Sequence, residues 1–185
     1  MLISREREKL INTVSFFASN VEKCGKVKLF KLLYFLDFEH YKITGRSVTG
    51  MDYYAWQMGP VPTALFDEIE SPEPDMAQAL SFVEMPIRGG KQKMLQIVVK
   101  HTFDDTLFTK RELKIMRNLV DQYKNSNSEE MIEATHLENL PWDKVFNQPN
   151  GNRAIIPYEL SFRSEEANEM KRVAAERNAF IGILA

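Results

Sequence analysis

Lys28-Leu29-Phe30-Lys31-Leu32-Leu33-Tyr34-Phe35-Leu36-Asp37, continued by Phe38-Glu39-His40-Tyr41, is apolar around most of a helical circumference. Leu29, Leu32, Leu33 and Leu36 share one side, and Phe30, Tyr34, Phe35 and Tyr41 widen the stripe. A helix this apolar has to be enclosed by other elements, so the spacing predicts a central helix from about Val27 to Thr44. Gly45 supplies the left-handed stop. Lys31 and Asp37 interrupt the run, and no uninterrupted apolar stretch is long enough to span a bilayer.

Upstream, Ser4 is expected to cap a helix with Leu10, Val14, Phe17 and Val21 at helical spacing, ending near Lys23 to Gly25. Downstream, Thr49-Gly50 marks a turn, and Met51 to Met58 is extended, with Tyr54, Trp56 and Met58 on one face. Gly59-Pro60-Val61-Pro62 is expected to break that segment, and Pro62 or Thr63 to open a short helix carrying Leu65, Phe66 and Ile69. Ser71-Pro72-Glu73-Pro74 is expected to be a loop. Phe82 to Ile87 and Met94 to Lys100 form a predicted β-hairpin around Arg88-Gly89-Gly90-Lys91, with Pro86 placing its strand at an edge.

Thr109-Lys110-Arg111-Glu112 has the capping-box pattern and leads into an amphipathic face of Leu113, Met116, Val120 and Tyr123. Asn127 to Glu130 and Pro141-Trp142 look like two further helix starts, Asn150-Gly151 a turn, and Ser164 to Asn178 a terminal helix. The expected fold class is mainly α (α+β): a compact helical domain around a central apolar helix, with a small β-hairpin or short antiparallel sheet. One domain is expected over 1–185, with a motif-bearing core at about 28–142 and a C-terminal extension at about 150–185.

Hydrophobic residues make up 44% and charged residues 27% of the 185, which is the mix of a folded globular chain rather than a disordered one. Lys and Arg total 24 against 26 Asp and Glu, so the net charge of -2 lacks the basic excess that phosphate binding rewards. Nucleic acid is therefore not the expected partner, and a membrane is not expected either. The amino terminus shows no secretory pattern and Cys24 stands alone, which fits a soluble protein of the reducing cytoplasm.

The block from Lys28 to Asp37, followed by Thr49-Gly50, Tyr54-Ala55-Trp56 and Gly59-Pro60-Val61-Pro62, resembles the opening signature of the Panacea (SocA-like) antitoxin domain. A second block, Phe108 to Glu112 and then Thr135-His136 and Pro141-Trp142, is similar in order and spacing to the later part of that family. The resemblance implies a bacterial or phage-encoded antitoxin that neutralises a cognate protein toxin by direct contact. The namesake relative suggests an alternative, an adaptor delivering its toxin to a cytoplasmic protease. As signature positions, Lys28, Leu32, Tyr34, Asp37, Gly59, Pro60, Thr135, His136 and Trp142 are expected to be structural.

Chemistry is sparse. His40, His101, His136 and Cys24 lack metal-ligand spacing, and no phosphate-binding loop or nucleophile elbow is present, so no metal, cofactor or enzymatic activity is expected. Asp37 and His40, three apart on one helix, could pair for proton transfer or bind backbone at the core edge. His136 raises the same choice, and a small enzyme using Asp37 and His40 or His136 is the remaining alternative. Partner contact is assigned to Tyr54 and Trp56 as an aromatic groove, to Arg88 and Lys91 on the hairpin tip, and to Met170 and Val173 on the terminal helix.

Overall fold

The fold is described by a computed structural model over residues 5–86, 93–137 and 140–162, together with Arg172 and Glu176. Among these residues it is mainly α with a minor β component: seven α-helices and two two-stranded antiparallel sheets. α1 spans Glu6–Asn20 and α2 spans Lys26–Thr44. β1 (Tyr54–Trp56) and β2 (Gly59–Val61) precede α3 (Thr63–Glu68) and α4 (Pro74–Ala79). β3 (Leu80–Pro86) and β4 (Lys93–Val99) form the hairpin, and α5 (Lys110–Tyr123), α6 (Ser128–Thr135) and α7 (Pro141–Phe146) follow.

α2 occupies the centre, as its wide apolar stripe requires. Leu29, Leu32, Leu33 and Leu36 are each 0% exposed, and α1, α5, α6, β2 and a 3-10 turn at Tyr158–Ser161 pack around them. Gly45 ends the helix at φ 67°, its N–H bonded to the Tyr41 carbonyl, a conformation that glycine adopts without a Cβ penalty.

α1 departs from expectation at both ends. Its N-cap is Arg5, with no side-chain cap, and Ser4 lies outside the described residues. The helix stops at Asn20 because Val21 turns extended and the next residues are claimed elsewhere. The Glu22 N–H donates to the Lys124 carbonyl at 3.0 Å, and Lys28 Nζ donates to the Glu22 carbonyl at 2.6 Å.

Gly59-Pro60-Val61 does not break the sheet; it forms β2. Tyr54 pairs with Val61, Ala55 with Pro60 and Trp56 with Gly59. Pro60 has no N–H to give, and it is tolerated because β2 is an edge strand. The other side of β1 is taken by residues 153–156, where Ala55 N–H donates to the Ala154 carbonyl at 2.8 Å and Ile156 N–H to the Tyr53 carbonyl at 2.8 Å. Pro74 opens α4 at its first position, so the expected loop is shorter than the paired prolines suggest. Arg7 ties this region to α1 by gripping both Glu68 and Asp75.

The hairpin pairs Leu80 with Val99 through Pro86 with Lys93, and its tip lies outside the described residues. Leu80 and Ile97 are buried, whereas Val83, Met85 and Val98 face outward. The predicted capping box forms between Thr109 and Glu112, and the helix start expected at Asn127 carries a second one, with Glu130. Glu112 also accepts from Lys9 Nζ at 2.6 Å, joining α5 to α1. The apolar face of α5 centres on Ile115, Met116 and Leu119, with Leu113, Val120 and Tyr123 at its margins. The predicted terminal helix over 164–178 lies outside the described residues apart from Arg172 and Glu176. No helix among the described residues is long and apolar enough to cross a membrane.

If α2 is the element on which the fold is assembled, Leu36→Ala should lower unfolding free energy by about 2–5 kcal/mol through cavity formation. Val83→Ser on the outer hairpin face should stay within about 0.5 kcal/mol. Urea unfolding followed by circular dichroism measures both.

Candidate functional site

Four polar side chains of α2 carry the features that distinguish this chain from a plain helical core. Lys28, Lys31, Asp37 and His40 are all buried, and each reaches a different segment of backbone.

Asp37 is fully buried and accepts four hydrogen bonds. Oδ1 takes the backbone N–H groups of Val48 at 2.7 Å and Thr49 at 2.8 Å, and Oδ2 takes the Tyr53 hydroxyl at 2.7 Å and the Thr49 hydroxyl. Burial pushes the carboxyl above its ordinary pKa, while the hydroxyl and amide donors pull it back down. All four partners are donors, so the site is built for the ionised form. Burial and the Asp37 charge in turn hold the Tyr53 hydroxyl firmly protonated.

His40 does not complete a dyad with Asp37. Its Nδ1 donates to the Arg46 carbonyl at 2.8 Å, and burial lowers the pKa of the ring. Of the two readings the spacing allowed, the structure has the backbone-binding one: Asp37 and His40 are separate anchors for the turn that follows α2. Lys28 is a third anchor, at the opposite end of the helix.

Lys31 is 2% exposed, and Nζ donates to the Pro60 carbonyl at 3.0 Å. No carboxylate among the described residues pairs with it, and burial lowers its pKa to about 7. Gly59, at φ 92°, is what admits the ammonium: a Cβ there would stand 2.8 Å from Lys31 Nζ and 2.7 Å from the Thr135 hydroxyl. Thr135 donates to the Ile132 carbonyl at 2.8 Å, closing the end of α6.

The His136 ring stacks on Trp142 with centroids 3.8 Å apart, and burial and the nearby Lys31 charge lower its pKa. Its Nε2 is buried without a hydrogen-bond partner among the described residues. The Tyr34 hydroxyl, close to the Trp142 backbone amide, likewise makes no hydrogen bond of normal geometry. Trp142 Nε1 donates to the Trp56 carbonyl at 3.0 Å, which fastens α7 to the end of β1. The two blocks of sequence are thereby joined through Gly59, Pro60, Thr135, His136 and Trp142.

A family model described as Antitoxin SocA-like, Panacea domain, matches residues 29–143. The chain belongs to this family. No curated protein and no solved structure matches it. In this Panacea domain the signature residues Lys28, Leu32, Tyr34, Asp37, Gly59, Pro60, Thr135, His136 and Trp142 all lie on or beside α2, β2, α6 and α7. Tyr54 and Trp56 share one face of β1 and are half-buried. Arg88, Lys91, Met170 and Val173 lie outside the described residues.

Sequence reasoning missed the donors Thr49 and Tyr53 and the burial of Lys31. The signal available for Lys31 was a lysine three residues after Lys28 inside an otherwise apolar helix face. No group of three His, Cys, Asp or Glu side chains among the described residues could hold a metal.

Replacing Asp37 by Ala strands four buried donors and should cost about 3–5 kcal/mol of stability in urea unfolding. Lys31 gives a pH signature. Its folded pKa of about 7 lies below the ordinary 10.5, so the unfolded chain binds more protons between those values and stability rises with pH across that window. The penalty is fully present below pH 7. Relative to Lys31→Met, the wild type should gain about 2 kcal/mol between pH 7 and 9. Paired urea titrations at the two pH values measure the difference.

Proposed function

We propose that this Panacea protein is an antitoxin that neutralises a cognate protein toxin by binding it directly in the cytoplasm. The observation that carries the reading is the match to an antitoxin family over residues 29–143. The site geometry supports it. The polar groups that could have acted in catalysis are spent on holding the fold: Asp37 on four donors and His40 on the Arg46 carbonyl. A protein that acts by contact needs a rigid surface and no reacting group, and needs no cofactor. The partner-binding residues suggested by the sequence are retained here as contact candidates, with Tyr54 and Trp56 the two whose surroundings are described.

The reading is tested by bacterial growth with the adjacent gene induced, alone and together with this protein. Growth arrest that co-expression relieves, and a stable complex of the two purified chains on gel filtration, are the expected results. A harmless neighbour, or arrest without relief, would overturn it.

A further inference from the structure

On the sheet side of the molecule two cations rest on two aromatic rings. The Arg153 guanidinium carbon is 5.0 Å from the Trp56 ring centroid, and Lys26 Nζ is 3.5 Å from that of Phe66. Trp56 and Phe66 are themselves in contact, with centroids 5.2 Å apart and planes at 54°. Both rings are half-buried, so each keeps a solvent-facing portion.

Neither cation makes a salt bridge among the described residues; the Glu84 carboxylate acts on Lys26 through space but is itself paired with Lys93. Three other cations do make salt bridges: Arg7 holds Glu68 and Asp75, Lys9 holds Glu112, and Lys93 holds Glu84. On α3, beside Phe66, Glu68 is committed to Arg7, and Asp67 makes no ion pair with Lys26 or Arg153. Arg153 is also held in place at a conformational cost. Its φ is 63°, left-handed for a residue with a Cβ, and its N–H donates to the Ala55 carbonyl at 2.7 Å.

Apolar groups complete the face. Ile155 lies opposite Tyr54 across the strand pairing, on the side that Tyr54 shares with Trp56, and is 49% exposed. Met58, in the turn directly after Trp56, is 58% exposed.

We propose that this cation-flanked aromatic face receives the toxin, and that the toxin presents to it an acidic segment carrying an apolar side chain. Charge complementarity selects that occupant: two cations without a salt bridge among the described residues await carboxylates, and Met58 and Ile155 await apolar cover. Single-stranded nucleic acid also exploits cations beside aromatic rings, but the net charge of -2 disfavours a polyanion over a local acidic segment. The inference rests on the antitoxin reading.

The test uses the full chain and the toxic protein encoded by the adjacent gene. Lys26→Glu with Arg153→Glu should weaken binding by about tenfold or more and abolish growth rescue. Lys114→Glu with Arg117→Glu makes the same charge change on exposed α5 and should leave binding within about twofold. Circular dichroism melting checks folding. If the reversal variant melts early, Lys26→Gln with Arg153→Gln reads the same contact and should weaken binding about threefold or more. Wild-type rescue with an unaffected Lys26/Arg153 variant overturns the face alone. Failure of the wild type to rescue overturns the antitoxin reading and the face together. Tighter binding to a single-stranded oligonucleotide than to the toxin also overturns the face.

Discussion

Removing a carboxylate from water costs several kcal/mol unless the protein supplies donors in place of the lost hydration. Asp37 obtains those donors from residues 48 to 53, which obliges the chain to double back along α2 once Gly45 has ended the helix. Tyr53 is the residue before β1, so satisfying the carboxylate also decides where the sheet begins. Lys31 lies six residues before Asp37, about 9 Å along the helix axis, and reaches Pro60 on the returning strand. Two buried charges of opposite sign, each bonded to a different end of one β-turn-β segment, therefore hold that segment against α2. Packing alone would allow the segment to slide, whereas each charge tolerates only one register.

The same constraint keeps Asp37 from serving as a general base. A general base needs an unoccupied lone pair facing a substrate, and Asp37 has its oxygens filled by four donors from its own chain. Thr135, His136 and Trp142 continue this logic at the next layer. Thr135 closes α6, His136 stacks on Trp142, and Trp142 bonds to Trp56. These residues of the two sequence blocks are internal fastenings.

Elements governed by local chemistry were legible in the sequence. The Thr109 capping box, the helix start at Asn127, the Gly45 stop and the hairpin follow from residues a few positions apart, and they appear where the pattern places them. Elements decided by distant partners were not. Gly59-Pro60 reads as a breaker until the free edge of β2 is known, and residues 153–156 have no strand signature until β1 offers them hydrogen bonds. α1 ends early because Lys124 and Lys28 draw on the backbone of Glu22. Asp37 and His40 were readable as backbone-binding residues at the core edge, but their partners, Thr49 and Tyr53 on one side and Arg46 on the other, were not.

The division between scaffold and surface also falls along the chain. Trp56 and Phe66 lie within the matched residues 29–143, fixed by the hydrogen bond from Trp142 and by packing on Phe30. Lys26 and Arg153 lie just outside, one on either side. An aromatic pair positioned by the family's core thus receives its charges from flanking residues that the core does not dictate. In the proposed face a rigid apolar centre would supply contact area and flanking charges would select the partner at little expense to the fold, because an exposed charge contributes more to specificity and encounter rate than to stability. Neither Lys26 nor Arg153 takes part in the hydrogen bonds of Asp37 and Lys31, so the charges at the margin can vary while the sheet those two residues hold stays as it is.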